Sequence, residues 1–391
     1  MESAPEPEFG KVMSERWILQ ICHGYSEPFL DVARQYAALF RDTPFRVLTV
    51  YLTGAPGEEA VRGSASDEVI FLGYSSPEIR GLKWRAIREL RRIGAARPFR
   101  FCIAHRFKPL YIALLATRLP VIGVHHAFGD YQRPYRRLFA HFFRRRLALL
   151  GVSDAVRDDL RAALPSWPKT RIETLYNRID IEAVQAGQLS REASRAALGL
   201  PQNAWIAGNV GRLHPDKDQA TLIRAFAHAL SRLPAGSLLA ILGSGREEDA
   251  LKALARELGI TGSVRFLGQI PEARRYFKAF DVFALSSDHE PFGMVLLEAM
   301  SANVPVMATD CGGAPEVVGN PDQLFPLKDA AALAGKLIEF MAGNDGEATR
   351  NRLYACAEDG RQRLALFTDD AARRNFFALP MIRAMLGKDG Q

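Results

Sequence analysis

Short apolar, β-branched runs alternate with helical patterns from one end of this chain to the other, and nothing else in it constrains the fold as tightly. In the first half the runs are WILQICH (17–23), FRVLTVYLT (45–53), EVIFLGY (68–74), FRFCIAH (99–105), PVIGVHH (120–126), LALLGVS (147–153) and IETLYN (172–177). In the second half they are WIAGNVG (205–211), SLLAILG (237–243), SVRFLG (263–268), VFALSS (282–287), VPVMATD (304–310) and QLFPL (323–327). Most are apolar along their whole length, which implies strands covered on both faces, as in parallel sheets flanked by helices. The pattern predicts an α/β protein with two doubly wound, Rossmann-like sheets in series.

A chain of 391 residues has material for two cores. The expected division is a disordered tail at 1–13, a first domain at 14–184, a second at 185–366 and a terminal helix at 367–391. The segment MESAPEPEFGKVM (1–13) is acidic and Pro-rich and lacks the apolar core of a signal peptide. The longest apolar stretch, YIALLATRLPVIGV (111–124), is broken by Arg118 and Pro120 and is too short to span a bilayer. The cysteines, Cys22, Cys102, Cys311 and Cys356, form no CxxC pair, which argues against a zinc site or a disulfide framework.

The net charge of +7 is unevenly spread. Residues 1–150 carry 23 Lys and Arg against 14 Asp and Glu, whereas the rest carry 28 against 30. Within 80–146 there are 17 basic residues and two acidic ones. Such a field suits an anionic surface, an anionic acceptor or a nucleic acid, or is a solvated basic face without a partner.

Four loops stand out. GNVGRLHPDKD (208–218) joins a strand to the helix QATLIRAFAHAL, so Arg212 and Lys217 lie beside the positive end of a helix, an anion site in outline. Gly208 and Gly211 are expected to let the backbone approach a ligand. ILGSGREEDAL (241–251) is a second strand–Gly–helix turn, with Gly243 and Gly245 at its base. In HEPFGMVLLEAM (289–300), Pro291 suits the first turn of a helix. The N–H groups of Phe292, Gly293 and Met294 would then start that helix without intrahelical acceptors. Glu290 and Glu298 flank an apolar run where an acid is costly without a partner. A carboxylate is a bidentate acceptor suited to a vicinal diol. In ATDCGGAPEVV (308–318), Gly312 and Gly313 are expected to admit a ligand, and Pro315 and Glu316 to start a helix.

Taken together, these pieces resemble family 4 of the retaining glycosyltransferases, which have the GT-B fold. EPFGMVLLE fits that family's E-x7-E signature through Glu290 and Glu298. VGRLHPDKD precedes it, GGAPEVV follows it, and GVSDAVRDDL (151–160) is similar to a further family segment. The resemblance is carried by about 150–320. It implies two domains facing a cleft, a nucleotide-sugar donor in the second, and a terminal helix crossing back to the first. It implies that Arg212 and Lys217 hold the diphosphate, Glu298 the ribose and Glu290 the transferred sugar. Gly24, Gly243, Leu267, Gly268, Phe292, Gly293 and Met294 complete the donor set, with Arg265–Gly268 by the base. His125 matches the family's strand-end His near the donor sugar. The family's Asn-Gly after the seventh strand is replaced by Asn177–Arg178, and only Gly24 matches its first Gly-rich loop.

The expected function is retaining hexosyl transfer from a nucleotide-diphosphate sugar, by family frequency a UDP-sugar, to a glycan or lipid-linked acceptor such as lipopolysaccharide core. His125, Glu290, Arg212 and Lys217 are the catalytic candidates. His126, Arg133, Arg136 and Arg137 are the acceptor-side candidates. Adjacent strand residues point to opposite faces, so only one of His125 and His126 should enter the site. The Asp-Lys-Asp run at 216–218 is absorbed by the cationic loop, and no metal or cofactor is expected. PYRRLFAHFFRRRLALL (134–150) places Tyr135, Leu138, Phe139, Phe142 and Phe143 at helical spacing among arginines. That reads as a helix buried on the first sheet, or as a peripheral contact with the cytoplasmic face of an anionic inner membrane. A GT-B epimerase or phosphorylase would share the fold. A basic nucleic-acid-binding protein would share the charge, but no stacking platform or reader motif is present.

Overall fold

The computed structural model describes residues 16–26, 29–341 and 358–386. The expected tail at 1–13 and Cys356 lie outside them. All 13 expected strands form, each within the run that predicts it or a residue beyond its start. They are β1 (Arg16–Cys22), β2 (Phe45–Thr53), β3 (Glu68–Tyr74), β4 (Phe99–His105), β5 (Val121–His125), β6 (Leu147–Gly151), β7 (Ile172–Thr174), β8 (Ile206–Val210), β9 (Leu238–Leu242), β10 (Val264–Phe266), β11 (Val282–Leu285), β12 (Val306–Thr309) and β13 (Leu324–Phe325).

Seven strands make one sheet in the order β3-β2-β1-β4-β5-β6-β7, and six make the other in the order β10-β9-β8-β11-β12-β13. The strand pairs described are parallel. Strands β5, β6 and β9 are buried along their full length, as unbroken apolar runs require. In the second sheet, Leu239 and Ile241 share a core with Leu222 and Phe226 of the helix Gln219–Ala229 and Leu337 of the helix Ala330–Met341.

In each sheet the order of the strands reverses once, between β1 and β4 in the first and between β8 and β11 in the second. Connections on either side of such a reversal leave to opposite faces, so a crevice opens beyond the carboxyl ends of those two strands. By packing, the chain falls into two compact units. One is Met1–Val124, Ala140–Ala148 and Arg383–Gln391; the other is His125–Phe139 and Leu149–Ile382.

The expected single terminal helix is two, Asp369–Ala378 and Pro380–Leu386. Pro380 cannot donate to the preceding turn and forces Leu379 into extended geometry, φ −61° and ψ 129°. Thr368 caps the first, accepting from the Ala371 N–H at 3.2 Å.

Candidate functional site

The loop after β8 and the loop after β11 meet at the second sheet's reversal point and are stitched together. The Asp288 N–H donates to the Asp216 carbonyl at 3.0 Å, and the Ser286 hydroxyl donates to the Lys217 carbonyl at 3.0 Å. This brings Lys217 to Glu290, 73 residues away, with Nζ 2.7 Å from Oε2. The Ser287 hydroxyl donates to the same carboxylate oxygen at 3.2 Å. Glu290 is 7% exposed, so its charge stands in a largely dry setting compensated by one ammonium and one hydroxyl. An ammonium has three N–H donors, and the pair uses one of them.

Arg212 lies on the rim with 71% of its side chain exposed, its Nη2 3.6 Å from Asp216 Oδ2. Asp216 also pairs with His214. Asp218, at φ 41°, caps the helix Gln219–Ala229 by accepting from the Thr221 N–H and hydroxyl. Both carboxylates of the Asp-Lys-Asp run therefore serve the loop itself.

The glycines divide into two kinds. A Cβ on Gly211 or Gly268 would meet nothing within 4 Å, so the backbone there is open. A Cβ on Gly243 would fall 1.9 Å from the Gly211 carbonyl oxygen, and one on Gly245 2.2 Å from that of Leu213. On the Cβ side of these two, neighbouring loops touch. The same holds for Gly208, filled against by the Phe280 ring at 2.3 Å. It holds also for Gly312 and Gly313, whose Cβ atoms would strike the Glu290 and Pro291 carbonyl oxygens at 2.1 and 2.5 Å. The paired glycines seat the loop that carries Glu290.

The helix after that loop spans Met294–Ser301 and starts later than Pro291 suggests, because Gly293 at φ 100° forms its N-cap. Phe292 is instead a buried anchor. Its ring lies 6.1 Å from Tyr176 and 5.6 Å from Phe367, which are 5.5 Å from each other. Glu298 stands half-buried on the second turn of this helix.

Two family models match in succession. "Glycosyltransferase Family 4" covers residues 30–183, and "Glycosyl transferases group 1" covers residues 190–360. The chain carries both glycosyltransferase domains. It is 35% identical over 207 residues to the D-inositol 3-phosphate glycosyltransferase of Corynebacterium urealyticum, covering 51% of this chain and 46% of that one. It is 37% identical over 172 residues to the lipopolysaccharide core biosynthesis glycosyltransferase LpsE of Rhizobium meliloti, covering 44% and 47%. The chain thus spans about half the length of the curated relatives it matches. The Anabaena protein Alr3699/HepE, solved in complex with UDP, superposes with a TM-score of 0.73 at 20% identity over 92% of this chain and 98% of that one. Two doubly wound parallel sheets with these neighbours are the GT-B fold.

In this two-domain glycosyltransferase chain, the other candidates take the following positions. His125, at the end of β5, is fully buried, its Nδ1 2.6 Å from Asp130 Oδ2 and its Nε2 3.4 Å from the Tyr131 hydroxyl. Burial pushes the Asp130 carboxyl up, but the hydrogen bond with His125 and the charge of Arg136 more than offset it and hold Asp130 below its usual range. Arg136 donates to Asp130 at 2.9 Å, whereas Arg133 and Arg137 are exposed and His126 is half-buried. Leu267 and Gly268 cross to the neighbouring strand, the Leu267 N–H on the Ile241 carbonyl and the Gly243 N–H on the Gly268 carbonyl. Gly24 follows β1 and has no room for a Cβ, which would sit 2.8 Å from Thr53 Oγ1.

Three residues take roles that no motif in the sequence announces. Asp130, five places after His125, carries no motif. Glu316 accepts from the N–H groups of Asp154 and Ala155 at 2.7 and 2.8 Å, at the start of the helix Asp154–Ala163. Arg178, the departure from the family's Asn-Gly, is fully buried with Nε 2.6 Å from Asp369. It ties the terminal segment down, and the adjacent Ile179 N–H donates to the Phe367 carbonyl at 3.0 Å.

Proposed function

We propose that this chain is a retaining hexosyltransferase that moves a sugar from a UDP-sugar to a glycan or lipid-linked acceptor such as lipopolysaccharide core. The observation that carries the reading is the Lys217–Glu290 pair at the reversal point of the second sheet, beside the open backbone of Gly211 and the exposed Arg212. Lys217 keeps two N–H donors for a diphosphate and Arg212 offers a guanidinium fork. Glu290 accepts from a hydroxyl of the transferred sugar, and Glu298 takes the ribose diol. The first N–H groups of the helix Met294–Ser301 add donors without intrahelical acceptors. The UDP bound by HepE and the lipopolysaccharide named for LpsE support the donor and acceptor classes.

In the step itself, the bond from the anomeric carbon to the β-phosphate oxygen breaks as the acceptor oxygen approaches from the same face. The acceptor proton passes to the departing phosphate. Arg212, Lys217 and the helix start stabilise the charge that develops there, each good donor contributing about 3 kcal/mol. His125, buried on Asp130, acts by fixing the 126–131 loop. The reaction is proposed to need no metal, since Asp216 and Asp218 are engaged within their own loop. Activity lost in EDTA and regained with Mn²⁺ would contradict that.

The acceptor is proposed to lie at a membrane surface. No helix of the described residues is long and apolar enough to cross a membrane. The helix Pro134–Phe142, however, exposes Tyr135, Leu138 and Phe142 at 57%, 74% and 81%, among the exposed Arg133, Arg137, Arg144 and Arg145. Apolar groups within a basic rim suit the cytoplasmic face of an anionic bilayer.

Melting curves with a panel of nucleotide sugars test the donor. A ligand at about 100 times its Kd adds about 2.7 kcal/mol to stability. A UDP-sugar is expected to raise Tm, and Glu298→Ala to remove most of that rise while its own Tm stays near wild type. A panel without any response sinks the reading.

A further inference from the structure

The first sheet has a reversal point of its own, between β1 and β4. Ligands of open parallel sheets gather beyond the carboxyl ends of such strands. His23 follows β1 and Arg106 follows β4. The register pairs Ile21 with Ala104, and His23 and Arg106 are the first residues past the ends of these adjacent strands. Lys108 stands in the first turn of the helix Phe107–Ala116, and Arg80 comes from the loop after β3.

These groups act on one another. Burial, then the charges of Lys108 and Arg106, hold the His23 imidazole below its ordinary value. Burial, then Arg80, do the same to Lys108. No carboxylate among the described residues relieves either group. His23 Nδ1 is buried and has no hydrogen-bond partner, although its backbone is fixed by the Thr53 N–H and hydroxyl on the His23 carbonyl at 2.9 and 2.7 Å. Arg106 sits at φ 70° and ψ 169°, a region almost reserved for glycine. Its N–H donates to the Val124 carbonyl at 2.8 Å, and its guanidinium lies 4.2 Å over the Phe29 ring. Cations gathered at a ligand-binding position, one of them on a strained backbone, are balanced by an anion. A guanidinium fork, an ammonium and an imidazole N–H match the oxygens of a phosphate.

We infer that His23, Arg80, Arg106 and Lys108 bind a phosphate group carried by the acceptor. That the phosphate belongs to an acceptor rests on the transferase reading; the anion site itself does not.

The test uses the full chain saturated with UDP, so that the diphosphate position in the second sheet is filled, and titrates inorganic phosphate while following Tm. Phosphate is expected to raise Tm in the wild type. Lys108→Ala and Arg80→Ala are each expected to weaken apparent phosphate affinity about tenfold, as for one lost charge-assisted hydrogen bond, and to leave the UDP response intact. Without phosphate, Lys108→Ala should melt no lower than wild type, because it relieves repulsion; a merely structural lysine would lower Tm. Competition by a soluble sugar monophosphate marks a soluble acceptor, and displacement only by phosphatidic-acid vesicles marks a lipid-linked one. No phosphate response in the wild type, or one unchanged in both variants, overturns the site. A missing UDP response with the phosphate response intact counts against the transferase reading alone.

Discussion

Glu290 carries more at the scale of single residues than its place in a sequence motif conveys. Its carboxylate neutralises Lys217, its backbone carbonyl accepts from Gly313 at 2.8 Å, and Gly312 exists so that the same carbonyl can come close. Removing one partner of a buried pair strands the other, at about 3 kcal/mol. Glu290→Ala is therefore expected to lower both Tm and kcat/KM, with the kinetic loss about 100-fold or more for a donor-side group. A variant that unfolds earlier yet turns over normally would reduce Glu290 to a structural residue. Glu316 gives a pH signature. Burial lifts its carboxyl above the ordinary range, and Asp154 adds to this, while the backbone donors of Asp154 and Ala155 oppose it. A carboxyl that holds its proton more tightly when folded favours the fold while protonated. Its contribution is present below the ordinary value of 4.5 and fades as pH rises through the raised one. The Tm of Glu316→Gln minus that of wild type should thus grow more positive across that window. A flat difference would mean that the carboxyl titrates alike in both states. Glu290 and Lys217 were legible because each sits in a strand–loop–helix turn. Their pairing was not, since nothing local links positions 73 apart.

Among elements, the strands were readable to within a few residues because burial on both faces leaves an unbroken apolar run. The loops were less so. A glycine signals freedom without saying who uses it, and at Gly208, Gly243, Gly312 and Gly313 the user is another part of the chain. Gly211→Ala should accordingly fold normally, whereas Gly243→Ala should lose several degrees of Tm, with a backbone oxygen 1.9 Å from the new Cβ. The arginine-flanked stretch posed the opposite ambiguity, because an apolar stripe reads the same under a lid or in the open. The helix Pro134–Phe142 resolves it, with Phe142 at 81% exposure. Tyr135→Ser, Leu138→Ser and Phe142→Ser together are expected to abolish sedimentation with phosphatidylglycerol vesicles at low salt and to spare the UDP-induced Tm rise. Vesicle binding undiminished in the triple variant removes this helix from the proposed membrane contact.

On the scale of the whole molecule, the two sheets repeat one logic with different charge. Each reverses strand order once, and each reversal gathers cations, Lys217 and Arg212 in the second and Arg106 and Lys108 in the first. The difference is the surrounding field. The first 150 residues carry nine more basic than acidic side chains, and the rest carry two fewer. In the second sheet the cations are tempered close at hand by Glu290 and Asp216, whereas no described carboxylate relieves His23 or Lys108. Salt separates the two cases, because the Debye length shrinks from about 10 Å at 0.1 M to about 3 Å at 1 M. Short contacts survive that change and a diffuse field does not. Apparent affinity for inorganic phosphate in the UDP-saturated protein should fall several-fold between about 0.1 and 1 M NaCl, and that for UDP by clearly less. Equal slopes for the two ligands would mean that the excess of arginine in the first half contributes no field at its own reversal point, and that its basic residues are solvated charge and nothing more.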